Sequence, residues 1–210
     1  MINKLKKEYT FKKKDIKKRL KEFRDVWEED DDRVFAELSF CVCTPQSKAV
    51  VCDKAISGLI ENRILFNGKL EQIRAGLKGV RFPNNKAKYI LENRERFTEN
   101  GRIRIKDKIN TKNLHFTRDW LIKNVKGIGL KEASHFLRNI GFGKDLAIVD
   151  VHIIKNMVRY GLLKDVPKNI SREKYIIFEN IIRDFSGEID IPMGDLDLLL
   201  WSGETGFIFK

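Results

Sequence analysis

The stretch that most restricts how this chain folds is NVKGIGLKEASHFLRNIG, residues 124–141. Helical spacing runs into it through Leu121 and Val125 and resumes in Leu130, Ala133, Phe136, Leu137 and Ile140. KGIG stands between the two runs. An internal glycine costs about 1 kcal/mol relative to alanine in a helix, so two of them two positions apart mark a break. Gly127 and Gly129 permit positive φ and close approach of another backbone. The reading is helix, glycine hairpin, helix. The second helix would begin with main-chain amides and the positive end of its dipole, a combination that attracts phosphate.

Charge fits a polyanionic partner. The 210 residues hold 42 Lys and Arg against 30 Asp and Glu, a formal charge of +12. Each phosphate neutralised by such a surface releases a condensed counterion. RNA or an anionic membrane surface would suit the same surplus. The lysine-rich start, MINKLKKEYTFKKKDIKKRLKEF, has no apolar run after its lysines and does not read as a signal peptide. No apolar stretch approaches the roughly 20 residues needed to span a bilayer. Cys41, Cys43 and Cys52 are an odd set with no fourth ligand nearby, so they read as buried reduced thiols in a cytoplasmic protein.

Only four prolines interrupt a recurring 3.6-residue apolar spacing, so the fold class is all-α. The first helix presents Ile16, Leu20 and Phe23 on one face. The acidic run ending at Asp32 offers an N-cap for a helix through VFAELSFCVC. Further helices are expected over 48–61, 69–77, 85–97, 113–124, 130–140, 150–160, 171–185 and 194–201. Gly141, Gly161 and Gly187 stand where glycines just past a helix end would. Ser171 and Asp150 are placed to cap the helices that follow them.

Two residues near the hairpin carry candidate chemistry. Lys131 sits in the first turn of the second helix, where the dipole disfavours its charge. That is a poor place for a structural cation and a better one for an amine nucleophile. Asp150 follows 19 residues later, at a helix start reached through the apolar segment Leu146–Val149. Capping and catalysis are compatible there, since a capping aspartate is both held and ionised.

Together with LAIVDVHII, the hairpin block resembles the type-2 8-oxoguanine DNA glycosylase/AP lyases of the helix-hairpin-helix superfamily. ELSFCVCT, RFPNNKAKYILENR, IPMGDLDLLLW and the final FK extend the similarity over most of residues 34–210. The resemblance implies two helical lobes with the helix-hairpin-helix motif at the interlobe cleft. Residues 34–149 would form the central lobe, and residues 1–33 with 150–210 the second. It implies excision of 8-oxoguanine from double-stranded DNA; a monomer is the simpler expectation for such a protein, and the side chains support no cofactor or metal. Lys131 would attack C1′ to give a Schiff base, with β-elimination of the 3′-phosphate to follow, and Asp150 would stabilise charge on the sugar.

Base recognition would fall to Phe82 and Trp201, whose rings match positions that sandwich the extruded base, and to Asp197 and Lys210. The terminal group of Lys210 would accept from N7–H, which 8-oxoguanine has and guanine lacks. Gly127, Gly129, His135 and His152 are candidates for the DNA backbone, although His135 suits helix packing equally. The chain departs from the pattern in TPQS at 44–47, in DVHI after the aspartate and in WSGET after Trp201. It has no C-terminal four-cysteine cluster, which argues against an iron–sulfur glycosylase. The competing readings are a non-catalytic helix-hairpin-helix DNA-binding protein and a helical protein that binds acidic protein partners.

Overall fold

The computed structural model describes residues 1–210. Its elements are α1 (Ile2–Glu28), α2 (Asp31–Cys43), α3 (Ala49–Glu61), α4 (Ile64–Asn67), α5 (Leu70–Gly76), α6 (Pro83–Phe97), α7 (Leu114–Asn124), α8 (Leu130–Leu137), α9 (Val151–Arg159), α10 (Arg172–Glu188) and α11 (Met193–Thr205). The fold is all-α apart from one small hairpin, β1 (Thr98–Glu99) with β2 (Arg102–Ile103). Asn100 and Gly101 make its turn at φ 51° and 74°. Asn-Gly favours this two-residue connection because both positions need positive φ. It is a short-range signal that a purely helical reading passes over.

Expected caps are in place. Asp30 accepts from the Arg33 amide, Asp150 from the amides of His152 and Ile153, and Ser171 from the Lys174 amide. Gly141 and Gly161 adopt positive φ near helix ends. Gly187 does not end its helix: α10 continues to Glu188 and is capped by Ile189. The helix expected to run to 140 stops at Leu137 and passes into a widened turn, Arg138–Phe142.

The chain divides into two compact units. One comprises Met1–Asp25 with Leu137–Lys210, the other Val26–Phe136. In the first, Leu5, Ile16 and Phe23 from α1 are buried, as are Ile153, Met157, Phe178, Ile182 and Leu199 from the later helices. Tyr9 Oη donates to Asp195 at 2.8 Å, joining α1 to α11. Burial, followed by the Asp195 contact, raises the Tyr9 phenol above its ordinary range.

The second unit is built on α2, whose residues Val34 to Cys43 are all buried. A helix apolar on nearly every side must be enclosed by others. Its one buried acid, Glu37, is matched one turn back by Arg33 at 2.8 Å. Cys41, Cys43 and Cys52 are free and buried here, and the Cys52 thiol donates to the Cys43 carbonyl at 3.1 Å. Burial pushes the Cys43 thiol well above its usual value. No helix is long and apolar enough to cross a membrane.

Candidate active site

In the Val26–Phe136 unit, α7, a tight turn and α8 form the helix-hairpin-helix. Helix α6 holds the turn from below. Asn93, 1% exposed, donates to the Lys126 carbonyl at 3.0 Å and accepts from the Lys126 amide at 2.8 Å. Gly127 has φ 82°, and a Cβ there would stand 2.5 Å from Tyr89 Cδ2. Glycine is therefore required twice over at that position. Gly129 has ordinary φ, and a Cβ on it would meet nothing nearer than 3.5 Å. Of the two glycines expected to need positive φ, only Gly127 does.

Lys131 lies in the first turn of α8, part-buried, with Nζ 3.1 Å from Glu132 Oε1. The other oxygen of Glu132 accepts from the Gly129 amide at 3.1 Å. One carboxylate thus ties the lysine to the turn and occupies one of the amides expected to face phosphate. The signal was present: an acid at the third helical position commonly reaches back to the amide that precedes its helix. Lys131 consequently has the structural ion-pair partner that its place on the helix dipole did not lead one to expect.

Phe82 belongs to the same unit. The residue is 51% exposed and its backbone is left-handed, φ 57°, ψ 48°. The Arg81 guanidinium lies 5.5 Å from the ring centroid. His135 is 7% exposed and packs edge-on against Phe40 at 5.6 Å. A ring so enclosed is a packing element, and a phosphate contact would require the helix around it to open.

The unit of Met1–Asp25 and Leu137–Lys210 carries the second set. Leu146–Val149 is buried outside any helix, so its main-chain polar groups need partners from elsewhere. Helix α10 supplies them. Tyr175 Oη donates to the Ala147 carbonyl at 2.8 Å and accepts from the Val149 amide at 3.1 Å. Glu179, 1% exposed, accepts from the Ala147 amide at 2.9 Å. These bonds deliver Asp150 to the start of α9, where Oδ1 takes two amides at 2.8 Å each. No sequence pattern pointed to Tyr175 or Glu179.

Asp197, which the resemblance assigns to the base edge, is a buried residue of α11. It is 6% exposed, and its Oδ2 accepts from Arg138 Nη1 at 2.9 Å. Burial pushes its carboxyl up to about 6; Arg138 opposes the rise, Asp150 adds to it and the Ile148 amide lowers it. Arg138 also lies over the Phe23 ring at 5.0 Å and donates to Asn139. Its stem leaves no room beside Gly143, where a Cβ would come 2.7 Å from Arg138 Cβ. Trp201 is part-buried, with His152 and Phe207 edge-on at 6.5 and 5.8 Å. Lys210 is part-buried beside Phe209, whose ring meets that of Phe207 at 5.8 Å.

A glycine hairpin buttressed by α6, with a lysine in the first turn of its second helix, defines a helix-hairpin-helix protein of the DNA-glycosylase type. The chain belongs to the Ogg-HhH family, described as 8-oxoguanine DNA glycosylase, which matches residues 16–191. It is 43% identical over 211 residues to the 8-oxoguanine DNA glycosylase/AP lyase of Fusobacterium nucleatum, covering 100% of this chain and 97% of that one. The Thermotoga maritima 8-oxoguanine DNA glycosylase superposes with a TM-score of 0.87 at 33% identity, over 100% of this chain and 98% of that one. The Methanocaldococcus jannaschii 8-oxoguanine glycosylase/lyase, solved with a 15mer DNA containing 8-oxoguanine, gives 0.89 at 33% identity, over 100% and 99%.

Proposed function

We propose that this chain excises 8-oxoguanine from duplex DNA and nicks the strand at the resulting site. The observation that carries the reading is Lys131, an amine at the head of a glycine hairpin in a chain of the Ogg-HhH family. The damaged nucleotide rotates out of the stack at a cost of a few kcal/mol. Neutral Lys131 attacks C1′ and the bond to the base breaks, its electron pair and one amine proton going to the base; the C1′–O4′ bond then opens, O4′ takes the second amine proton, and a Schiff base is left. Loss of a 2′ proton and departure of the 3′-phosphate complete the β-elimination. Asp150 answers the positive charge that develops on the sugar, where a fixed carboxylate does the most.

Phe82 and Trp201 stack on the extruded base, a contact worth about 1–3 kcal/mol per ring and insensitive to base identity. Specificity then rests on hydrogen bonds, and Asp197 and Lys210 are the groups assigned to the base edge. An acceptor left facing the N7 lone pair of guanine costs about 1–3 kcal/mol, which sets the scale of discrimination from one contact. Gly127, Gly129 and His152 are assigned to the DNA backbone. The burial of His135 supports its assignment to the core instead.

Borohydride trapping on a duplex containing 8-oxoguanine tests the proposal. The chain should give a covalent adduct that Lys131→Gln does not. Salt-dependent binding with no adduct would leave a DNA-binding protein without chemistry.

A further inference from the structure

Two exposed residues other than glycine hold left-handed backbone in the Val26–Phe136 unit near one hydroxyl. They are Gln46, φ 56°, and Phe82, φ 57°. Such conformations are strained for a residue with a side chain and persist only where the surroundings over-determine them, often at ligand clamps. Here the surroundings are identifiable. Ser47 Oγ, next to Gln46, accepts from the Arg81 amide at 3.0 Å, just before Phe82. It also accepts from Lys86 Nζ at 3.1 Å. Lys86 Nζ donates further to the carbonyls of Cys43 at 2.7 Å and Pro45 at 2.8 Å. Its amide donates to the Phe82 carbonyl at 3.1 Å, closing the first turn of α6. Pro83 then fixes the residue after Phe82 as the helix start.

Lys86 is 4% exposed, and its three recorded partners are two carbonyls and a hydroxyl. Burying an ammonium is expensive unless its protons are all used, and this one uses three. One of them goes to the last residue of α2, where the helix dipole favours a cation. Burial pulls Lys86 below the ordinary lysine value. The chain sustains that cost where the payoff is geometric: the end of α2, the Pro45–Ser47 loop and the start of α6 are pinned to one nitrogen.

We infer that Lys86 and Ser47 are positioning residues for Phe82, fixing the exposed ring before DNA arrives so that it receives an extruded base without reordering. This rests on the stacking role proposed for Phe82. A ring set in advance loses no freedom on binding, and stacking energy goes to holding the base rather than ordering the loop.

The experiment is a double-mutant cycle on single-turnover excision of 8-oxoguanine with enzyme in excess. Ser47→Ala should slow excision about tenfold, the order of one stacking contact. Ser47→Thr, which keeps the hydroxyl, should restore it. Affinity for undamaged duplex should stay unchanged in both. In a Phe82→Ala background, Ser47→Ala should cost nothing further. Multiplicative losses, or Ser47→Ala working at the wild-type rate, would overturn the inference. Lys86→Met is expected to follow Ser47→Ala; should it fail to fold, the serine series decides alone. Failure of the wild type to excise 8-oxoguanine would instead sink the proposed function itself.

Discussion

Arg138 Nη1 lies 2.9 Å from Asp197 Oδ2, and neither side chain is more than a tenth exposed. Burial lifts the Asp197 carboxyl to about 6, above the ordinary 3.8, even with Arg138 pulling the other way. Between those two values the folded chain keeps a proton that the unfolded chain has released, so this group's contribution to stability falls as pH rises through that window. Arg138→Met removes the opposing cation and leaves ionisation still less favourable. The variant should therefore lose little at pH 5 and up to about 2–3 kcal/mol more at pH 8, because a carboxyl that stays protonated forgoes about 1.4 kcal/mol for each pH unit above 6. Urea unfolding at the two pH values measures both. Equal penalties would mean that the carboxyl does not titrate in this range.

Gly127→Ala and Gly129→Ala separate the two glycines. At Gly127 a methyl group meets both positive φ and the Tyr89 ring, so about 1–3 kcal/mol of stability should go, with much of the DNA affinity. At Gly129 neither obstacle exists, and thermal unfolding should barely move. Similar losses from both would contradict this account of the turn.

Asp150 has two jobs that substitution can divide. Asparagine keeps an oxygen for the amides of His152 and Ile153, so Asp150→Asn should unfold near the wild-type temperature. Its charge is gone, however, and excision should fall about a hundredfold or more. Asp150→Ala loses the cap as well, about 1 kcal/mol by calorimetry.

Tyr175→Phe removes one hydroxyl and strands two main-chain groups, the Ala147 carbonyl and the Val149 amide. A loss of about 1–3 kcal/mol is expected. Hydrogen exchange should quicken in residues 146–149 ahead of other segments. Uniform exchange throughout the unit would argue that the segment is held some other way.

Local rules were legible in the sequence where local physics decides. Asp30, Asp150 and Ser171 cap their helices because a short polar side chain satisfies amides two or three residues on, a relation confined to adjacent residues. The helix-hairpin-helix was equally readable, since two glycines inside apolar 3.6-residue spacing have few other uses. What escaped was long-range pairing. Tyr175 and Glu179 serve a segment nearly 30 residues earlier, and Lys86 reaches back about 40 residues to Cys43 and Pro45. Nothing in the local pattern sets such partners apart from ordinary helix residues. The ion pair of Asp197, assigned from the resemblance to the base edge, was hidden for the same reason: its arginine lies 59 positions away.

The absent side chain of Gly143 has a reach beyond its own turn. A single methyl there would press on the stem of Arg138, and that stem carries the guanidinium set against Asp197. Damage of this kind would register as a misplaced charge on α11, with the altered residue itself looking harmless. Screens that score variants by chemical severity would rank glycine to alanine among the mildest, and at this position they would be misled.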